Sequence, residues 1–510
     1  MRGAERVMMM IGGLLFWAFL GTWLFLIRPG SVFHKTEAIR LTGKRKLFLV
    51  LLLAGIIALL GFLMTLSPYW NGEIPEHRNQ YEVITEAFLE GRLDFGYEVD
   101  PRLLELENPY DKAQWKALGI DVHFDHAFYQ GKYYMYFGVV PVFLAFLPYR
   151  LITGHALVSW QATLLFTAGF IIGLACLLYR LMKRFFPKIS WAAFLSLLTA
   201  FALAGSLYEA MFPALYHTPV ACGMMLAVWS LYCYVKAFCR DPSGDFSLGP
   251  AVLGALLGAL IFGCRPTLAM VNLMVIPLAV RFLRGRKLTA RTALRLLAAA
   301  VPYALVAAAL MWYNAARFQN PFEFGQSYQM TVVDQTSYSS MFTLENLVKI
   351  PAGLFNALFV VSPVDTVFPF LRPGNGAFAV CPLLLLCFAF LFRQPRTELK
   401  EKQLFGLSVT AVLASLLIIA LQIAWSPWLL DRYQSDYVYL LGIGAFCGAG
   451  ACFARSSDRP KLSWLISLGA FGCVLLTALV FLIPSDQNYT AYDPAALSGI
   501  WNFITFKAIR

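Results

Sequence analysis

Long apolar runs, each close to the ~20 residues that cross a hydrocarbon layer as a helix, recur through most of the chain. They fall near residues 7–27, 47–67, 156–180, 190–210, 216–238, 248–264, 267–283, 292–314, 376–393, 405–425, 435–453 and 463–483. The pattern predicts an all-α integral membrane protein, a bundle of about twelve transmembrane helices. One stretch breaks it. Residues 68–133 carry many charges and aromatics and no run of spanning length, so they are expected to form a long first outer loop. Within the loop Tyr81, Ile84, Phe88 and Leu89 recur at helical spacing while Glu82, Glu86 and Glu90 face elsewhere. That spacing predicts an amphipathic helix on the bilayer surface or beneath a cap.

Residues 134–153 decide the topology. They are apolar enough to span, but they contain Gly138, Pro141 and Pro148. If they crossed, the next helix would deliver Arg180, Lys183, Arg184 and Lys188 outward, and every later basic loop would be inverted. As an interfacial helix on the outer face they leave the basic loops cytoplasmic throughout, as the positive-inside bias requires. Residues 1–46 then form an extra N-terminal span and a basic cytoplasmic loop, and 47–483 the transmembrane core. Residues 315–375 become a second outer region, with an apolar stretch near Leu354 to Val361, and 484–510 an outer tail. The expected location is the plasma or inner membrane, multi-pass, with the working face outside.

Composition agrees with this reading. Of 510 residues 59% are hydrophobic and only 14% charged, with a mean hydropathy of +0.64, where a soluble chain is about a quarter charged. The net charge of +12 sits in short inter-helix loops and implies no nucleic-acid partner. Ten cysteines, none in the polar loop and none in a CxxC pair, argue against a disulfide framework or zinc site and for small buried apolar side chains. The apolar N-terminal run is longer than a signal-peptide core and lacks a clear small-residue cleavage site, so it is expected to be a retained helix.

With the topology set by Lys and Arg, the polar residues at helix ends fall on the outer side. They are Glu209 and His217; Arg265 in GCRPT; Asn314 and Arg317; and Asp431, Arg432 and Asp436 in WSPWLLDRYQSDY. Ionisable groups at membrane depth are expensive and tend to be functional. Several of them beneath one acidic and aromatic loop suggest a site with cations available for phosphate. The loop supplies the acids: Glu73 and Glu76 just past the second span, Asp94, Glu98 and Asp100, then Asp121 and Asp125. A carboxylate held near a helix end suits a general base. The HxxH at 123–126 is too short and lacks further ligands for a metal site.

These features resemble the GT-C superfamily of polyprenyl-phosphate-sugar-dependent glycosyltransferases, close to the bacterial relatives of protein O-mannosyltransferases and of the aminoarabinose transferases of lipid A. The stretches that carry the resemblance are EHRNQYEVITEAFLEGRLDF, NPYD, DHAFYQGKYYMYFGVVPVFLAFLPYRL, CRPT, NAARFQNPFEFG and DRYQSDY. The resemblance implies a GT-C-like bundle whose long first outer loop carries interfacial helices, residues 134–153 forming the second of these. One departure is that the usual Asp, often an Asp-Glu pair, just past the first core span is replaced by PEHRNQY. Its role would pass to Glu76, with Glu73 beside it, and Asp125 takes the place of a second loop acid. The extra N-terminal span is another departure.

The resemblance further implies an inverting sugar transfer from a polyprenyl-phosphate donor to a lipid, glycan or protein acceptor, with no cofactor. Arg265 and Arg432 would hold the leaving phosphate, with His217, Arg317 and Asp436 near it. Glu76 or Asp125 would take the acceptor proton, and loop aromatics such as Tyr81 and Tyr133 would stack on sugar faces. The alternative is a transporter or flippase of lipid-linked glycans. That class predicts ionisable groups in mid-span or an inverted repeat, and the sequence has neither.

Overall fold

The computed structural model describes residues 3–39, 42–65, 79–211, 213–239, 245–335, 343–360, 376–425 and 431–481. Glu73, Glu76 and the tail from 484 lie outside the described residues. The chain opens with α1 (Gly3–Leu26) and α2 (Gly43–Thr65). The polar loop contributes α3 (Gln80–Leu89) and a hairpin of β1 (Ala127–Tyr129) and β2 (Lys132–Tyr134). A π-helical turn, Val142–Phe146, runs into α4 (Leu147–Thr153). The bundle follows: α5 (Ser159–Phe185), α6 (Trp191–Met211), α7 (Thr218–Phe238) and α8 (Leu248–Leu260). A 3-10 segment, Pro266–Met274, then continues into α9 (Val275–Leu283), before α10 (Ala290–Phe318) and α11 (Leu344–Phe359). After a 3-10 helix, Pro382–Leu391, come α12 (Arg393–Glu401), α13 (Phe405–Trp425), α14 (Val438–Arg455) and α15 (Arg459–Phe481).

Among the described residues nine helices are long and apolar enough to cross a membrane: α2, α5, α6, α7, the composite Pro266–Leu283, α10, α13, α14 and α15. That is the signature of a multi-pass membrane protein. The spans predicted near 248–264 and 376–393 are helical but shorter, Leu248–Gly263 and Pro382–Leu391, and the one predicted near 7–27 falls on α1. Exposed side chains agree with a lipid environment: Leu294, Leu297, Leu305 and Trp312 line the outside of α10, an apolar stripe that water would not tolerate. α14 is buried along nearly its whole length and forms the middle of the bundle. Gly448 lets it meet the 3-10 helix, since a Cβ there would stand 2.0 Å from the Leu386 carbonyl oxygen. All ten cysteines are free, eight of them buried. The N-terminal helix is tied to the core by His34, whose Nδ1 lies 2.8 Å from Ser463 Oγ and whose Nε2 lies 2.9 Å from the Ile27 carbonyl oxygen.

Residues 134–153 are not one helix. Tyr134 ends β2, and helical structure begins only at residue 140. From there to Thr153 it runs roughly 21 Å at the α-helical rise, well short of the ~30 Å hydrocarbon core. The hairpin turns through Gln130 and Gly131, both at positive φ (48° and 74°), as a two-residue turn between strands prefers. The described parts of residues 68–133 and 315–375 form one unit. Ala127 bridges Gln329, the Met330 amide donates to the His126 carbonyl at 2.8 Å, and Asn108 Nδ2 donates to Asp334 at 2.8 Å. The apolar stretch expected near 354–361 belongs largely to α11.

The amphipathic helix is present as α3, with Tyr81 and Ile84 fully buried, but Leu89 is exposed. Glu82, off the apolar face of α3, turns to the bundle. Its Oε1 accepts from both the Ser159 amide and the Ser159 hydroxyl at 2.7 Å, so it caps the start of α5. Glu86 pairs with Arg150 on α4 at 2.6 Å. Short acidic reach from α3 thus joins the loop to the bundle, and helix N-termini favour such anions.

Burial pushes the Glu82 carboxyl up to about 7, outweighing the Ser159 hydrogen bonds that pull it down. A carboxyl raised in the folded state stabilises most below its unfolded value of about 4.3, and that contribution is lost as pH rises through 7. Glu82→Gln keeps an acceptor for Ser159 and removes the titration. Its Tm is expected to match the parent near pH 4.5 and to exceed it by a few degrees at pH 8. Parallel unfolding curves across that range would rule this out.

Candidate active site

The geometry centres on Asp125. Its backbone lies in the left-handed region, φ 58°, a conformation that Asp tolerates better than most residues. The conformation is fixed from both sides. The Asp125 amide donates to the Met330 carbonyl at 2.8 Å, and Gln80 Nε2 donates to the Asp125 carbonyl at 2.7 Å. The side chain is buried, and each of its oxygens accepts one hydrogen bond. Tyr216 donates its phenol proton to Oδ2, and Gln329 Nε2 donates to Oδ1 at 2.9 Å and to the Tyr136 hydroxyl at 2.7 Å. Desolvation, with the Asp125 and Tyr216 charges next, holds the Tyr136 phenol well above the usual tyrosine range. Tyr136 is therefore a neutral group in the site.

Tyr216 joins this carboxylate to the cations. It lies between α6 and α7, and the Arg432 guanidinium sits over its ring at 4.5 Å. Arg432 also approaches the Tyr433 ring at 5.6 Å, and Arg265 covers Tyr433 at 5.0 Å. The path from carboxylate to guanidinium therefore crosses one phenol, and a second phenol separates the two arginines. The arginines differ in their electrostatics. Arg265 Nε donates to Asp436 Oδ2 at 2.8 Å, an oxygen that also accepts from Thr267 Oγ1 at 2.8 Å and Gln422 Nε2 at 2.7 Å. Arg432 makes no ion pair among the described residues; its contacts are aromatic faces. A guanidinium in that setting keeps its N–H edges available for an anion.

The remaining predicted residues hold the site together. His217 is buried and lies 3.2 Å from Glu209, whose other oxygen has no partner among the described residues. Asp436 anchors Arg265 and is wholly buried. The reading of Arg317 as a substrate contact is replaced by a positioning one. It is 4% exposed, stacks on Tyr313 at 3.7 Å, and donates to Asn314 Oδ1 at 2.9 Å and to the Met135 carbonyl, one residue before Tyr136. The sugar-stacking role expected of Tyr81 and Tyr133 is corrected too, because both rings are covered. Tyr81 stacks on Phe146 at 5.2 Å and donates to the Gly138 carbonyl at 3.0 Å. Tyr133 packs on His123 and Phe128 at 4.8 and 5.0 Å, and burial pushes its phenol up to about 12. Glu73 and Glu76 lie outside the described residues.

Sequence reasoning missed Tyr216, Tyr136, Gln329, Gln422 and Tyr433. Tyr136 and Tyr433 stand inside quoted motifs, so proximity could have flagged them. Tyr216 and Gln329 reach Asp125 from 91 and 204 residues away, and nothing local marks them.

The segment Met135–Val140 is a wedge between the loop subdomain and the bundle. Arg317 grips its start and Tyr81 its middle. Gly138 lies flat on the turn before Arg265: a Cβ there would meet the Cys264 carbonyl oxygen at 2.2 Å and that of Gly263 at 2.4 Å. Gly138→Ala is therefore expected to destabilise by roughly 1–3 kcal/mol and to misplace Arg265. A Tm within a degree of the parent would contradict that. Compared with known proteins, the chain matches no family model, no curated protein and no solved structure.

Proposed function

We propose that this chain is a membrane glycosyltransferase that moves a sugar from a polyprenyl-phosphate donor to an acceptor at the outer face of the membrane, with inversion at the anomeric carbon. One observation carries the reading: a buried loop carboxylate, Asp125, and a guanidinium without an ion pair among the described residues, Arg432, lie on either side of the Tyr216 phenol. A base and an anion-binding group that close together suit displacement of a phosphate leaving group. In this proposal the bundle makes about twelve crossings, counting α1 and the shorter helices at 248–263 and 382–391. The basic inter-helix loops face the cytoplasm and the Asp125 end faces outward.

Asp125 takes the proton from an acceptor hydroxyl or amine as the acceptor atom bonds to the anomeric carbon. The bond from that carbon to the phosphate oxygen breaks, and the polyprenyl phosphate leaves with the electron pair. Arg432 receives the developing charge, with Arg265 behind it, in a partly dry site where such stabilisation is strongest. Asp436, Thr267 and Gln422 hold Arg265 so that it need not reorganise during transfer. Glu76, with Glu73 beside it, is the competing base on sequence grounds. The acceptor is a lipid, a glycan or a protein.

The test is transfer or donor consumption by the purified full-length protein with a panel of polyprenyl-phosphate sugars. Asp125→Asn is expected to lower kcat by about 10²–10⁴, and Arg432→Gln by about 10²–10³. Arg432→Lys should recover only part of the loss, because it restores charge without the planar fork. Normal turnover by Asp125→Asn together with loss in Glu76→Gln would move the base to Glu76. No consumption of any donor would remove the reading.

A further inference from the structure

The far end of the bundle holds a second concentration of cations. The composite helix Pro266–Leu283 starts beside Arg265 and ends roughly 30 Å away, by the rises of its 3-10 and α-helical parts. Around that far end, where α5 and α7 also finish, lies a cavity of about 470 Å³. That volume falls within the range of small-ligand sites, about 300–1,000 Å³. Arg184, Arg281, Arg284, Arg286 and Lys402 line it.

Its two lining carboxylates are already engaged by arginines outside the lining. Asp245 pairs with Arg295, and Glu401 with Arg455. Arg281 and Arg284 make no ion pair among the described residues. The floor is aromatic, and it orients the guanidinium groups: Arg281 lies over Phe185 at 5.0 Å and Arg286 over Phe282 at 4.5 Å. Arginines stacked by their faces present N–H edges to an oxyanion. The positive field is not offset by the lining acids, and a concave wall focuses it.

We propose that this cavity is a binding site for a phosphate-bearing anion, separate from the Asp125 site. A soluble phosphate and the headgroup of an anionic membrane lipid share the chemistry that the arginines would recognise. The phenyl floor and the place at the ends of membrane-crossing helices favour the lipid, because acyl chains can leave the cavity along apolar helix faces while the phosphate stays among the cations.

The experiment uses delipidated full-length protein in neutral detergent. Native mass spectrometry scores adducts with phosphatidylglycerol against phosphatidylcholine at equal concentration. A parallel thermal-unfolding series adds inorganic phosphate at constant ionic strength. The parent is expected to retain phosphatidylglycerol roughly tenfold over phosphatidylcholine, and Arg281→Gln/Arg284→Gln to retain both equally. Arg284 is exposed, so Arg284→Gln alone keeps the test available if the double variant does not fold, with an intermediate preference expected. Lys349→Gln, on α11, should behave as the parent. Stabilisation by inorganic phosphate in the parent but not in the variants would assign the site to a soluble phosphate. Absence of both effects, or their survival in the arginine variants, would overturn the proposal. Neither readout involves sugar transfer, so failure here leaves the function proposed for the Asp125 site untouched.

Discussion

The contact on which the candidate site depends is the one between Gly138 and the backbone at Gly263–Cys264. It sets the spacing between two parts that carry different chemistry. The loop subdomain supplies the carboxylate, and the turns between helices supply the guanidinium groups. With no side chain at 138, the loop strand rests directly on the turn that precedes Arg265. Tyr81 and Arg317 fasten the same strand from the subdomain and from α10. Tight backbone packing transmits position better than flexible side chains do, which suits a site whose partners come from separate layers.

The two arginines show how one residue type serves two purposes. Arg265 is held by a buried carboxylate that also takes hydrogen bonds from Thr267 and Gln422. Removing one partner of such a buried pair is costly, so Arg265 and Asp436 are as much structural as electrostatic. Arg432 rests on Tyr216 and Tyr433. Aromatic faces offset only part of the desolvation of a cation, which leaves Arg432 with the greater remaining demand for an anion.

Much of the fold was legible because membrane-spanning helices announce themselves by length and hydropathy alone. The amphipathic spacing of Tyr81 and Ile84 likewise survives as the buried face of α3. Three features were harder to read. Glu82 looks like a solvent-facing charge until Ser159, 77 residues on, arrives to be capped. Residues 134–141 look like the start of a helix because they are apolar, but their first residue belongs to a hairpin and the next few are held flat by tertiary contacts. Tyr133 looks like a ligand platform because aromatic side chains in a polar loop are conspicuous, yet its ring is packed against His123 and Phe128 and belongs to the main core. At the site itself, Arg265, Arg432 and Asp436 could be named from their rarity at helix ends, and Asp125 from the run of acids in the polar loop. Tyr216 and Gln329, which complete the carboxylate's surroundings, are ordinary polar residues whose meaning exists only in three dimensions.

The long sequence separations within this site have a consequence for synthesis. A ribosome releases Asp125 well before Gln329, 204 residues later, and Arg265 well before Asp436, 171 residues later. At about 5–20 residues per second, roughly a quarter of a minute to a minute passes between the first of these groups and the last. Throughout that interval the groups proposed to act together are still apart in the growing polypeptide, so the proposed site cannot be assembled until Asp436 has emerged.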